Sequence, residues 1–297
     1  MEKMSDKELL EELKSRFDKN KSDLVELQRL NKELVKLNQK LEDSEALKSH
    51  FISNIANEIV NPFTSILALS KTILTVKKED WKTVISMVAL IHSEAFNLDF
   101  QLKNIFMAAQ IEAGELAPEI LEVDVTTLIE KVIDSFKIEA NKKHIKTNFI
   151  TKIESGENGN HFKTDPEKLK LILSNIINNA IQFSDKEKEI EIKVDRLGSS
   201  LKIAVIDHGK GMNTEEQKII FDRFKRVNPE INTMNKGYGL GLSVTKSLID
   251  LLEGKIEIFS QKDIGTNITI ILPEIDTESF GFASDGDEFL FDDNEAF

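Results

Sequence analysis

The amino-acid sequence predicts an all-α coiled coil and helical hairpin followed by an α/β sandwich on a mixed sheet. Three observations predict it. Residues 1–50 contain no Pro or Gly and carry leucines three or four positions apart. Two further apolar stripes of helical period flank a polar break at Lys77–Asp80. From Leu116 the pattern changes to short period-two segments alternating with amphipathic helices, several joined by short turns, which favours a mixed sheet with helices on one face over a parallel one.

The coil (1–47) rests on Leu10, Leu13, Phe17, Leu24 and Leu27, then Leu30, Leu34, Leu37 and Leu41. The step of three from Leu27 to Leu30 reads as a stammer that locally overwinds the coil. The hairpin (48–115) continues through Ile52, Ile55, Ile59, Phe63 and Ile66, with Pro62 bending the helix rather than ending it. Its second arm carries Trp81, Val84, Val88, Ile91, Ala95, Leu98, Leu102, Ile105 and Ala109 and stops near Gly114. Two such hairpins make a dimeric four-helix bundle.

The α/β segment (116–275) has strands expected at Ile120–Val123, Ile145–Thr151, Glu189–Asp195, Leu201–Asp207, Lys255–Ser260 and Asn267–Leu272. Its helices are expected at Thr126–Ala140, Pro166–Ser184, Glu215–Ile220 and Leu240–Leu252, with a turn cluster at Ser155–Asn160. The remaining residues, 276–297, hold Phe280, Phe282, Phe289, Phe291 and Phe297 among eight acids and no Lys or Arg. They read either as a solvating acidic tail or as an aromatic docking segment for a basic partner.

Composition excludes several classes. The net charge of −13 disfavours phosphate backbones, so no nucleic-acid partner is expected. The absence of cysteine removes disulfides, thiolate nucleophiles and thiolate zinc sites, and agrees with a reducing, cytoplasmic setting. Met1–Leu10 is too charged for a signal peptide, and no apolar run is long enough to span a bilayer, so a soluble chain without a membrane segment is expected.

Three motifs carry chemistry. Asn175, Asn178 and Asn179 sit mid-helix, where Asn is a poor helix former, and Asn175 and Asn179 share a face. Their carbonyl oxygens are hard donors of the kind Mg²⁺ takes, though a plain polar face would look the same. Asp207-His-Gly-Lys-Gly211 ends a strand and pairs a carboxylate with close backbone approach, as recognition of an exocyclic amine such as adenine's requires. Lys236-Gly-Tyr-Gly-Leu-Gly241 opens a helix whose free amide hydrogens and dipole suit phosphate. It is not a Walker loop, since no Gly-Lys-Ser/Thr follows. Ile220-Phe-Asp-Arg-Phe-Lys-Arg-Val227 and the polar stretch to Asn235 could form a lid over nucleotide.

In this order and spacing, with Phe221-x-x-Phe224 and Gly265-Thr266, these motifs resemble the ATP-binding domain of sensor histidine kinases of two-component systems, of the Bergerat or GHKL type. The resemblance runs from about Lys48 to Pro273. It implies that Asn175 and Asn179 coordinate Mg²⁺, Asp207 holds the adenine amine and Gly209 and Gly211 shape the pocket. It further implies that Phe183 lies against the base, Gly237, Gly239, Gly241 and Thr266 line the nucleotide, and Arg226 approaches the terminal phosphate. The cofactors implied are ATP and Mg²⁺. Gln182 departs from the pattern, which has Lys or Arg there; one lost phosphate contact weakens binding by on the order of 1–3 kcal/mol.

Lys48-Ser-His-Phe-Ile-Ser-Asn-Ile-Ala-Asn57-Glu58-Ile-Val-Asn61-Pro62 resembles the family's acceptor box, in which a histidine precedes Glu. Here Asn57 stands at the acceptor position, while Glu58 and Asn61 match catalytic positions. Asn57 lies roughly 160–200° around the helix from Ile55 and Ile59 and is expected to face solvent. An amide nitrogen delocalises its lone pair into the carbonyl, so Asn57 is not expected to accept phosphate, whereas a neutral imidazole would. His50, two turns earlier, lacks a following acid.

Four readings stay open. The chain is an ATP-binding regulator or scaffold without self-phosphorylation; a phosphatase or trans-kinase for a two-component partner; an engineered His-to-Asn form of an ordinary kinase; or an ATPase of the same superfamily outside signalling. The partners implied are a second copy through coil and hairpin, and a response-regulator receiver domain or another histidine kinase.

Overall fold

A computed structural model of the chain describes residues 6–77, 80–153, 160–222 and 239–275; in the first helix it describes backbone alone at 6–13, 15, 18, 40, 41 and 43–58. The chain divides into two compact units, Met1–Glu58 and Ile59–Phe297. Residues 154–159, 223–238 and 276–297 lie outside the described residues, and with them the turn cluster Ser155–Asn160 except Asn160, the expected lid from residue 223 to Asn235, and the acidic segment.

The described residues of the first unit, 6–58, are helical and belong to a helix whose last residues, 59–73, fall in the second. Helix α1 (Asp6–Ile73) runs unbroken for 68 residues and contains Pro62. Phe17, Leu24, Leu27, Leu30, Leu34 and Leu37 of the expected coil stripe are all exposed in the single chain. Burying a leucine yields about 1.5–3 kcal/mol, so this stripe is a large unused hydrophobic resource.

In the second unit α2 (Trp81–Ala113) ends where Gly114 adopts φ 70° and its N–H bonds back to Gln110 and Ile111. That is the left-handed cap expected of Gly. Two strands, β1 (Leu121–Asp124) and β3 (His161–Thr164), pair antiparallel. The main sheet contains β2 (Lys146–Thr151), β4 (Glu189–Leu197), β5 (Ser200–Asp207), β6 (Lys255–Gln261) and β7 (Gly265–Pro273) in the order β2-β4-β5-β7-β6. Only β2 and β4 run parallel; the other pairs are antiparallel. The sheet is therefore mixed, as the short turns predict.

Period-two alternation explains its two faces. Ile190, Ile192 and Val194 of β4 and Leu201, Ile203 and Val205 of β5 are buried, and the residues between them are not. Helices α3 (Val125–Ser135), α5 (Pro166–Phe183) and α7 (Gly241–Leu251) lie over the buried face, with α5 central between the other two. The core is Leu169, Ile172, Leu173, Ile176 and Ile177 of α5 against those strand residues. Two further helices among the described residues are short, α4 (Lys137–Lys142) and α6 (Thr214–Ile219).

Helix α5 is held at both ends. Asp165 caps it by accepting from Lys168 N–H at 2.9 Å, and Pro166 occupies the first turn, where no N–H is needed. At the other end Lys143 Nζ donates to the carbonyls of Ile181 (2.9 Å), Gln182 (2.6 Å) and Ser184 (3.2 Å). A cation on these orphan carbonyls satisfies them and complements the helix dipole. Partial burial pulls the Lys143 ammonium below its ordinary pKa, while Asp185 opposes that shift.

Two features differ from the sequence expectation. The single helix expected at Thr126–Ala140 is broken at Phe136, whose N–H bonds to Ile133 three residues back instead of four. The break places Phe136 in the interior, edge-to-face with Phe96 (5.2 Å) and Phe100 (5.9 Å) of α2. Strand β3 was not expected; it exists by pairing with β1 across the domain. Phe136→Ala is expected to cost about 3–5 kcal/mol, read as a lowered urea midpoint of the second unit.

Candidate functional site

The site is assembled around α5. Asp207 is the last residue of β5 and is buried. Its Oδ1 accepts from Gly209 N–H at 2.9 Å and Thr266 N–H at 3.3 Å. Burial raises its carboxyl above the ordinary value, against the lowering effect of those two hydrogen bonds and of His208. Two donors thus hold one oxygen in place, and among the described residues the other accepts no hydrogen bond.

The glycines of the loop are required by contact. A Cβ on Gly209 would meet Phe183 O at 2.2 Å, one on Gly211 would meet Gln261 O at 1.9 Å, and one on Gly265 would meet Asp207 O at 2.0 Å. Gly211 (φ 58°) and Gly265 (φ 136°) also need positive φ. The loop is therefore clamped between the end of α5 and the β6–β7 turn. Lys210 N–H donates to Phe183 O, and Asp263 N–H donates to Lys210 O at 2.7 Å. Thr266 Oγ1 lies 2.9 Å from Ser260 Oγ, which accepts from Met212 N–H. Gly209→Ala is expected to lose about 3 kcal/mol or more, because the clash is with backbone, and to show as a lower midpoint in urea.

Phe183 sits at the exposed end of α5, with Lys210 Nζ 4.5 Å from its ring centroid. One face of this ring is thus occupied by a cation. Further along α5, Asn175 is buried at 1% exposure and Asn179 half-buried. Asn175 Oδ1 lies 3.1 Å from where a Cβ on Gly241 would sit, so α7 begins directly against that amide. Gly239 has φ 67°. The α5 helix thereby links Asp207's loop, through Phe183 and Gly209, to the start of α7, through Asn175 and Gly241. As oxygen donors at i and i+4 on one helix, beside another helix's N-terminus, Asn175 and Asn179 fit a hydrated Mg²⁺ carried by phosphates.

Gly237 and Arg226 lie outside the described residues, as do the side chains of Asn57, Glu58 and His50 within α1. Asn61 is exposed on α1. Among the described residues, no cluster of His, Cys, Asp and Glu could hold a metal, and no helix is long and apolar enough to cross a membrane.

Sequence reasoning missed Asn104. Its Oδ1 accepts from Asn175 Nδ2 at 2.8 Å, while its own Nδ2 donates to Phe100 O at 3.0 Å. It missed Ser93 too, whose hydroxyl donates to Glu139 Oε1 at 3.0 Å and accepts from Lys142 Nζ. Ser93, Phe96, Phe100, Gln101, Asn104 and Ala108 share one face of α2, and Ser93, Gln101, Asn104 and Ala108 are buried. At about 100° per residue this face lies nearly opposite the stripe from Val84 to Ala109. Polar residues at helical spacing within an apolar helix were the available signal.

Residues 164–276 match the family model described as histidine kinase-, DNA gyrase B-, and HSP90-like ATPase. The circadian input-output histidine kinase CikA of Synechocystis sp. is 29% identical over 237 residues, covering 77% of this chain and 31% of that protein. The sensor-like histidine kinase SenX3 of Mycobacterium tuberculosis is 26% identical over 231 residues, covering 78% and 55%. The chain thus spans between about a third and just over half of these curated relatives. Full-length ShkA, solved in complex with AMPPNP, shares the fold with TM-score 0.53 and 18% identity over 77% of this chain and 45% of that one. So does the Acinetobacter baumannii histidine kinase AdeS, at TM-score 0.50 and 20% identity over 74% and 98%. Residues 164–276 thus match a histidine kinase-, DNA gyrase B- and HSP90-like ATPase domain, and over about three quarters of its length the chain is similar to histidine kinases.

Proposed function

We propose that this chain binds Mg-ATP and acts as a dimeric signalling regulator that does not phosphorylate itself at position 57. The observation that carries the nucleotide half is Asp207, a buried carboxylate with one oxygen fixed by two backbone N–H groups. Its other oxygen accepts the adenine amine, Phe183 offers an apolar surface to the base, and Gly209, Gly211 and Thr266 form the wall. Gly239 and Gly241 would present amide hydrogens to the phosphates at the start of α7, and the family resemblance assigns Gly237 to the same role and Arg226 to the terminal phosphate. Asn175 and Asn179 hold Mg²⁺, which neutralises phosphate charge when bound. Asn57, at the acceptor position beside Glu58, offers an amide where a nucleophilic imidazole is needed.

Dimerisation is supported by the exposed Phe17–Leu37 stripe of α1 and by the second, apolar face of α2, both of which a second copy would cover in a coil and four-helix bundle. A response-regulator receiver domain is the partner class for such an assembly.

The test is incubation with γ-labelled ATP and Mg²⁺, followed by assay for acid-labile label. No label on the wild-type chain, together with measurable nucleotide binding, is the expected result; label on the wild type would overturn it and make His50 the first residue to replace. A second reading is favoured by the exposure of Asn61, which leaves it able to position water for hydrolysis of a receiver's aspartyl phosphate. Failure to accelerate loss of phosphate from a phosphorylated receiver domain would end that reading.

A further inference from the structure

The α2 helix reaches the site through a chain of amides whose directions are not free. Phe100 O can only accept, so Asn104 must turn its Nδ2 toward it, at 3.0 Å. Asn104 then presents Oδ1 to α5, and an oxygen can only accept there, so Asn175 must present Nδ2, at 2.8 Å. That leaves Asn175 Oδ1 turned to the start of α7, where it is the nearest atom to a Cβ built on Gly241, at 3.1 Å. Both asparagines are buried, at 4% and 1% exposure, so neither amide can exchange this bond for water without a cost of about 1–3 kcal/mol.

From this geometry we infer that Asn104 is a positioning residue for magnesium-bound nucleotide: it fixes the Asn175 amide so that its oxygen, not its NH₂, faces the phosphate end of the site. The inference rests on the reading of Asn175 and Asn179 as magnesium ligands. Without Asn104 the Asn175 amide turns over freely, and in half of its orientations presents a donor to the cation. Because Asn104 belongs to α2, the same bond couples the docking of α2 to the metal. Whatever tightening α2 docking gives Mg-nucleotide, Mg-nucleotide returns to the docked state by the same factor. Other contacts of this face, among them Phe96 and Phe100 on Phe136 and Ser93 with Glu139 and Lys142, hold α2 down without involving the Asn104–Asn175 bond.

The test measures ADP affinity of the full chain with magnesium and with excess EDTA, for wild type, Asn104→Leu and the smaller Asn104→Ser, so that one folded variant suffices. The expected result is a loss of about 10-fold in affinity with magnesium, the scale on which removing the partner of a metal ligand reads. Affinity in EDTA is expected to be unchanged within about twofold. Hydrogen exchange in 93–108 is expected to slow on adding magnesium and ADP to wild type and not to the variants. Equal loss with and without magnesium, or no loss, overturns the inference. Asn179→Ala and Asn175→Ala separate the underlying reading: if both keep the full magnesium-dependent tightening, the ligand assignment fails, and the inference with it, whatever Asn104 does. If they lose it while the Asn104 variants keep it, only the inference fails.

Discussion

Replacing Asn57 with histidine is expected to turn a chain that takes no label from γ-labelled ATP into one carrying acid-labile, base-stable phosphate. The reasoning is chemical. A neutral imidazole nitrogen holds an in-plane lone pair and is half-protonated near pH 6.5, so it is nucleophilic under ordinary conditions. The carboxamide of Asn57 has no such pair to give. On the proposed reading of this segment as an acceptor box, its other residues are in place, with Glu58 next to position 57 and Asn61 and Pro62 following. The gain is expected to be on the order of 10³-fold or more, the scale on which loss of a nucleophile is felt in other enzymes. A scintillation count of acid- and base-treated samples decides it. If Asn57→His takes no label while nucleotide binding is intact, the defect lies beyond the acceptor, and the replacement of a basic residue by Gln182 becomes the next position to restore.

Asp207→Asn is expected to separate stability from binding. Burial raises the Asp207 pKa, so in the folded protein the ionised form is disfavoured relative to the unfolded chain. The sign follows: the folded state takes up this proton first as pH falls, so this group's contribution to stability improves on acidification and is worst at neutral pH. An asparagine keeps an oxygen for Gly209 N–H and Thr266 N–H and removes the buried charge. The nucleotide-free domain is therefore expected to melt no lower than wild type at pH 7. Binding is expected to go the other way. The Asn NH₂ would meet the adenine NH₂, donor against donor, and affinity should fall about 10- to 100-fold. In wild type, affinity should decline as pH is lowered toward the raised Asp207 pKa. Calorimetry across pH 5–8, with melting curves on the same samples, reads both. A variant that binds adenine nucleotide as wild type does would remove Asp207 from the site.

What the sequence made legible follows from range. The sheet was readable because Ile190, Ile192 and Val194 alternate with charged neighbours, a signal complete within six residues. Asp207, Gly209 and Gly211 were readable because one turn contains them. Asn175 was readable as a polar residue in a buried helix, but its partner was not, since Asn104 lies 71 positions away. The same holds for Phe136. Its helix broke to meet Phe96 and Phe100, a requirement that no local propensity expresses. The pairing that creates β3 is likewise a tertiary fact, with His161–Thr164 opposite Leu121–Asp124.

The two opposed faces of α2 limit how this helix can drift. One face is committed to Phe136, Glu139 and Asn175, and the other carries the apolar stripe from Val84 to Ala109. What is left is a narrow flank, where His92, Asp99, Lys103 and Gln110 fall together and Asp99 and Lys103 pair at 2.6 Å. A library randomising α2 one residue at a time should find its tolerated substitutions concentrated there. A helix with so little idle surface cannot turn about its own axis without disturbing two sets of neighbours at once, so a twist entering along α2 would be felt at Asn175.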